Sequence, residues 1–557
     1  MKKTLVLLGA VTILAAVLRL YRLGSTPISL EWDEVAIGYD AYSLIKTGRD
    51  QFGDLLPVTF RSLDDYKPPI YEYLTVIPVS VFGLTGFAVR LPSALSGIGM
   101  VFLLYFFAGI LFQNIFLLKN YKNKAALLAS FLLAVSPWHI QFSRAAFEVN
   151  VAALITVSAV FLFLKGLKNP RYFIYSAGLF GLDLFSYHSA RVVAPLLLIF
   201  LFVIFNKSLP GKKPVIYFMV IFGVFLLAVL PVLFSQNAQI RFTATNIFRP
   251  AARYLDEKDL DKIFLEQRLN DIFKGYEFSG KIFHNRRLVW FDYDTLKKAF
   301  NNYLSNYRFE YLFIKGDAPL HHAPGFGLFH MWELPYLAAG IIFLLFKGLN
   351  RYSLFLLFWL LIAPLPNAVT REAPHSVRTL LLLPVYQLLG AAGLIYLYNL
   401  AKENFWVLFL PVTIITFLFI INHGYYLHQY FIHTDFDVAA NWKYGRKQAV
   451  NITEKIKINY DRVLVSLSLE MPHVFWLFYS RFPPDRYLVN GGTVSGGYAD
   501  ERNSFDKYQF RNFDYKLLKG QGNLLLVGTP GDFPAGADIF VNIYNPDGSV
   551  ALQMARN

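Results

Sequence analysis

For three quarters of its length the chain alternates long apolar runs with short polar connections, and then it changes character. Runs of the length needed to cross a bilayer fall near residues 4–21, 91–117, 125–142, 149–164, 172–187, 191–206, 215–234, 329–346, 352–366, 379–400 and 405–422, which predicts about eleven helical spans. The short connections at 119–124, 165–171, 206–214, 347–351 and 401–404 all carry Lys or Arg, the bias of cytoplasmic loops. The N-terminus, Met1-Lys2-Lys3 before an apolar run, reads as a retained signal anchor that starts inside. Counted from there, the long segments 22–90, 235–328 and 423–557 fall on the outer side. The first of them holds two helix-like stretches, 33–46 and 68–83, too short or too polar for spans and predicted as interfacial helices. If residues 69–82 spanned instead, every later loop would invert and the basic loops would face outward, against the charge bias.

Beyond residue 422 the pattern turns to mixed polar sequence with β-like runs at 462–467, 523–527 and 538–544. The last is followed by Asn545-Pro546-Asp547-Gly548-Ser549 and a run at 550–554, the turn chemistry of a hairpin. The expected architecture is a mainly α, polytopic membrane module over 1–422 and a small extracytoplasmic α/β domain over 423–557.

Composition fits this class: 55% of the 557 residues are hydrophobic and mean hydropathy is +0.40, more than a soluble core needs. No cysteine is present, which excludes a disulfide framework and thiolate chemistry. The formal charge of +15 is accounted for by topology, so an anionic membrane surface or anionic lipid, rather than nucleic acid, is the expected partner. With no phosphate-binding Gly-rich loop and no dinucleotide fingerprint, the energy for any reaction must come from the substrate.

Candidate chemistry gathers on the outer side. Asp33 and Glu34 follow the first span, Lys67 heads a Pro68-Pro69 step, Arg90 precedes Leu91-Pro92-Ser93, and Glu148 closes the run Ser143-Arg144-Ala145-Ala146-Phe147-Glu148. Acids in a first helical turn also cap helices, and a lysine at an interface also snorkels, so each residue alone has a structural reading. Together they suit attack on a sugar carbon whose leaving group is a lipid phosphate. A carboxylate takes the proton of an acceptor hydroxyl, and Lys or Arg neutralises charge on the departing phosphate.

Trp32-Asp33-Glu34, Tyr66-Lys67-Pro68-Pro69, Phe87 through Ala94, and Ser143-Arg144 through Glu148, in that order, resemble the bacterial relatives of protein O-mannosyltransferases and the lipid A aminoarabinose transferase, which are GT-C membrane glycosyltransferases. The resemblance covers residues 5–200. It implies an inverting transferase that uses a polyprenyl-phosphate sugar such as an undecaprenyl-phosphate sugar, in the bacterial cytoplasmic membrane, with the active site and terminal domain extracytoplasmic. It makes 22–90 the catalytic loop, Asp33 the base and Glu34 its neighbour in positioning, with Lys67 and Arg90 as phosphate contacts. Glu148 stands where the aminoarabinose transferase has a second acid. There that acid is an aspartate, one methylene shorter.

Further along, Gly316-Asp317-Ala318-Pro319-Leu320-His321-His322-Ala323-Pro324-Gly325 looks like a stretch found in uncharacterised bacterial members, and reads as a polar loop over the site. Adjacent histidines diverge on most backbones and no third ligand is spaced to join His321 and His322, so no metal and no obligatory cofactor is expected. Arg371, His375 and Arg378 have the spacing of one helix face and form a second candidate phosphate cluster, with interfacial anchoring as the alternative. Arg144, His188 and Arg191 are candidates to line the cavity. Asp183, inside a span, reads as a hydrogen-bonded acid near its outer end.

The expected donor is thus a polyprenyl-phosphate sugar, and the acceptor a hydroxyl of a lipid, glycan or protein. The competing class is a transporter or flippase of a lipid-linked saccharide, which would favour inverted repeats and charges at the bilayer midplane. Here the charges gather at the outer ends.

Overall fold

The computed structural model describes residues 2–62, 65–235, 245–248, 257–279, 293–403, 405–494 and 503–557; parts of the expected 235–328 loop lie outside them. In a bilayer a chain must satisfy its backbone polar groups internally, and the apolar runs do so as helices: α1 (Lys2–Leu20), α4 (Gly86–Phe112), α5 (Leu118–Val135), α6 (Pro137–Ser143), α7 (Glu148–Gly166), α8 (Pro170–Asp183), α9 (Ala190–Ile204) and α10 (Lys212–Leu233). Later helices cover Leu334–Phe346, Arg351–Ile362, Leu383–Ala401 and Phe405–His428. Every expected span coincides with helix. Among the described residues six helices are long and apolar enough to cross a membrane, or seven if α5 and α6 count as one span bent by 59°, and shorter apolar helices lie at Ile70–Phe82, Ala190–Ile204 and Met331–Phe346. The bend has a local cause, because Ser136 ends α5 and caps α6 with Pro137 at its first turn. The last helix also runs past residue 422 to His428.

The segment Ser376–Ala401 is central, with 83% of its apolar window buried, whereas α10 is peripheral at 11%. Two buried arginines close helix ends. Arg19 donates to Leu133 O and Ala134 O at the end of α5, and Arg144 donates to Leu18 O and Arg19 O at the end of α1, so cations sit where orphan carbonyls concentrate negative charge.

The segment 22–90 folds into two helices, α2 (Trp32–Thr47) and α3 (Ile70–Phe82), near the two expected helical stretches, with an antiparallel pair between them, β1 (Phe60–Ser62) and β2 (Asp65–Lys67), that the hydrophobic pattern does not announce. A capping box starts α2, with Glu31 accepting from Asp33 N and Glu34 from Glu31 N, and Gly48 at φ 70° ends it.

The C-terminal region carries a five-stranded sheet in the order β4-β3-β5-β7-β6. Its strands are β3 (Arg462–Val465), β4 (Tyr508–Phe510), β5 (Leu524–Gly528), β6 (Asp538–Tyr544) and β7 (Val550–Arg556). β3 pairs in parallel with β4 and β5, and β6–β7 is the expected hairpin. β4 is the strand missing from the sequence reading. The region packs on the segment 22–90, where Val35, Tyr39 and Tyr71 share one core with Trp476, Phe478 and Phe510.

Candidate active site

Seven segments, Tyr187 among them, meet in a cavity of about 400 Å³. The start of α2 brings Glu31 through Glu34, the end of β2 brings Lys67, and the turn into α7 brings Ala145 through Glu148. The loops at 320–321 and 372–378 close the other side, and Trp442 from the C-terminal region completes the wall.

Asp33 and Lys67 pair on one wall of this space, Nζ to Oδ1 at 2.7 Å, with the lysine side chain 6% exposed and the aspartate 47%. Burial works against the Lys67 charge, but Asp33, Glu148 and Glu72 outweigh it and raise its pKa. Lys67 is therefore a fixed cation in a nest of acids. The hairpin that presents it is itself held, since His188 Nε2 lies 3.1 Å from Tyr66 O, and Arg191 contacts His188 and Leu184 O. His188 and Arg191 sit behind the cavity wall, and Tyr187 lines it.

Glu34 is occupied. Its Oε1 accepts from Arg90 Nε at 2.8 Å and Ala146 N at 3.0 Å, and its Oε2 accepts from Arg90 Nη2 at 2.9 Å and Glu31 N at 3.1 Å. Arg90 spends its remaining donors on Leu23 O, Pro27 O and Ser29 O. A guanidinium has five N–H groups, and all five are committed to the protein, so Arg90 is placed behind the site as a clamp on Glu34. Asp33, the neighbouring residue, is left half-exposed to the cavity.

The 369–378 segment is not one helix. Helix begins only at Ser376, so Arg371 turns away to donate to Asn246 O, while His375 and Arg378 remain at the cavity. Arg378 bonds Thr370 Oγ1, Glu372 O and Glu372 Oε2. Asp317 accepts from Ser376 N at 2.8 Å and from Ser376 Oγ, and its Oδ2 lies 2.8 Å from His321 Nδ1. Burial opposes the Asp317 charge, yet His321, His375 and the Ser376 N–H hold its pKa well below the usual range. His322 points elsewhere, against Ala323 O. Asp183 is satisfied by Thr156 and Ser186, away from the cavity, and Arg144 lies at the end of α1.

Four contributors were not singled out from sequence. Glu31 lines the cavity, and burial followed by Asp33 raises its pKa well above the usual range. Glu72 is buried beside Lys67, with neither carboxyl oxygen hydrogen-bonded among the described residues. Glu372 pairs with Arg378. Trp442 lies 5.6 Å from the Arg90 guanidinium. The acidic capping box around Glu31 was a readable signal; Trp442 had none. A larger groove of about 610 Å³ between α1, α5 and Leu394–Tyr398 is almost wholly apolar and lies apart from these charges.

Residues 66–234 match the family model described as dolichyl-phosphate-mannose-protein mannosyltransferase. The chain is similar to YkcB, a candidate mannosyltransferase of Bacillus subtilis (strain 168), at 26% identity over 156 residues, which cover 26% of this chain and 20% of that protein. The match thus spans about a fifth of that relative's length. Among solved structures it is similar to ArnT from Cupriavidus metallidurans bound to undecaprenyl phosphate, with a TM-score of 0.52, 14% identity, and 99% of this chain and 97% of that chain covered. The apo state of the same ArnT gives a TM-score of 0.50 at 13% identity, with the same coverage of 99% and 97%. The chain is a multi-pass membrane protein with the GT-C glycosyltransferase fold.

Proposed function

We propose that this protein is an inverting glycosyltransferase that moves a sugar from a polyprenyl-phosphate donor to a hydroxyl acceptor at the outer face of the cytoplasmic membrane. The observation that carries this reading is the Asp33–Lys67 pair, a half-exposed carboxylate 2.7 Å from a buried ammonium on one cavity wall. The likeness in fold to an ArnT bound to undecaprenyl phosphate supports the donor class.

Before the donor arrives, Asp33 is paired with Lys67. A donor phosphate draws Lys67 to itself and leaves the Asp33 carboxylate available. The acceptor hydroxyl then gives its proton to Asp33 as its oxygen bonds to the anomeric carbon. The bond from that carbon to the phosphate oxygen breaks, and the lipid phosphate leaves with its charge met by Lys67 and Arg378. One displacement inverts the carbon. The Arg90–Glu34 clamp fixes the start of α2, and so the angle of Asp33. Glu148 holds Lys67 charged from the opposite side.

The test is transfer or release of sugar by purified protein in lipid, using a panel of radiolabelled polyprenyl-phosphate sugars. Asp33→Asn should lower the rate by about 10²–10⁴-fold, the range for loss of a general base. Near-normal turnover in that variant would move the base to Glu148. Movement of sugar lipid across proteoliposomes without any turnover would overturn the transferase reading in favour of a transporter.

A further inference from the structure

We propose that Asp317, His321 and His375 form a binding site for a divalent transition-metal ion of the zinc class, with a coordination position open to the cavity.

One ligand atom from each of the three residues lies within 4.8 Å of the other two. Two imidazoles and a carboxylate are the donor set of a three-ligand zinc site that keeps a fourth position free, and the two nitrogens select against calcium and magnesium, which take oxygen. Metal–ligand bonds of about 2.0–2.1 Å put tetrahedral ligand atoms about 3.3 Å apart, so binding closes the widest pair by at most about 1.5 Å and opens Asp317 Oδ2 and His321 Nδ1, now 2.8 Å apart, slightly.

The outer supports of such a site are already built. Ser376 donates its N–H to Asp317 Oδ2 at 2.8 Å and its Oγ–H to Oδ1 at 2.9 Å, which fixes the carboxylate. The His321 ring packs against the stacked pair Phe142 and Phe147, at 5.9 and 5.7 Å, and its centroid is 5.0 Å from that of His375. His375 Nδ1 is buried without a hydrogen-bond partner among the described residues, a vacancy of the kind native proteins fill with a ligand, an ion or water. The neighbouring cation Arg378 is tied to Glu372 and Thr370, and Glu372 Oε2 stands 3.9 Å from His375 Nε2.

Sequence spacing offers His321 and His322 as a pair. The fold instead takes one of them, adds Asp317 a turn before it, and brings His375 from the next loop. His321 and His375 also line the cavity shared with Asp33 and Lys67, so the open position suits an anionic oxygen. Assigning that oxygen to a donor phosphate rests on the transferase reading; metal binding does not.

The experiment uses full-length protein in lipid nanodiscs, with any purification tag removed, stripped with chelator and titrated with Co²⁺ and then Zn²⁺. One equivalent of Co²⁺ should bind with the visible bands of a tetrahedral site and be displaced by Zn²⁺. Binding should vanish in Asp317→Asn and His375→Ala, weaken about 10–100-fold in Ser376→Ala, and persist in His322→Ala. Zn²⁺ should raise the wild-type unfolding midpoint and leave that of His375→Ala unmoved. No Co²⁺ bands in the wild type, or binding retained by folded His375→Ala, would overturn the site. If a ligand variant does not fold, the wild-type stoichiometry and Ser376→Ala decide. No sugar donor is present, so this result and the transfer assay can fail independently.

Discussion

At the scale of single residues, two carboxylates adjacent in sequence are separated by environment. Glu34 is buried against Arg90, with side-chain exposures of 5% and 0%, whereas Asp33 is half-exposed. Removing one partner of a buried ion pair leaves an uncompensated charge, so Arg90→Gln should cost about 3–5 kcal/mol of stability, read as a large drop in unfolding midpoint or folded yield. Lys67→Gln leaves behind the half-exposed Asp33 and, buried beside position 67, Glu72, whose pKa burial raises well above the usual range so that it can stay protonated. The substitution should cost about 0–1 kcal/mol while abolishing transfer, and equal loss of stability in both variants would contradict this division. Asp50 gives a pH dependence. Burial pushes its pKa up to about 6, above the unfolded value of about 3.9, so between those values the folded state holds more protons than the unfolded state. Stability therefore falls as pH rises from about 4 to 6 and is flat above that. Asp50 Oδ1 accepts from Phe52 N and Asp54 N, bonds that an amide oxygen keeps. Asp50→Asn should accordingly flatten the unfolding midpoint across that window.

At the scale of elements, packing depends on glycines where two helices touch through their backbones. A methyl group at Gly393 would sit 1.8 Å from Tyr336 O, and one at Gly340 would sit 2.0 Å from Leu389 O. Small residues permit such crossings in membranes, and neither carbonyl can swing away as a side chain could. Gly393→Ala should therefore destabilise by about 1–3 kcal/mol. Gly424→Ala, with nothing within 4 Å of the added methyl, should leave the midpoint unchanged or slightly higher. An equal effect at both positions would refute the close-crossing account.

At the scale of the whole molecule, the C-terminal region and the segment 22–90 share one hydrophobic core. A methyl group at Gly38 of α2 would meet Phe478 at 2.4 Å and Val89 at 2.8 Å, Tyr39 donates to Phe482 O at 3.0 Å, and Thr493 N donates to Gln51 O at 2.9 Å. Truncation after His433 would expose the apolar faces of α2 and α3 and remove Trp442 from the cavity wall. The shortened chain should lose protection of residues 32–82 against protease and lose transfer with it. A truncated protein with native protection there would show the two parts to be independent.

The sequence by itself determined what depends on composition and period. A helix must close its own hydrogen bonds in lipid, so apolar runs read directly as helices, and the acids Asp33 and Glu34 fitted the first turn of the helix predicted over 33–46. The order Asp33, Lys67, Glu148 along the chain likewise pointed to three residues that the fold gathers around one cavity. Only the tertiary structure decided which charges are available. Arg90 reads as a free cation until five acceptors, all distant in sequence, three from the chain before α2 and two from the Glu34 carboxylate, are seen around it. His375 reads as part of a helical basic stripe until helix is found to begin one residue later. Trp442, β4 and the Asp317–His321–His375 cluster carry no local signal, because contact across long stretches of chain is set by how elements pack and not by the pattern within any one of them.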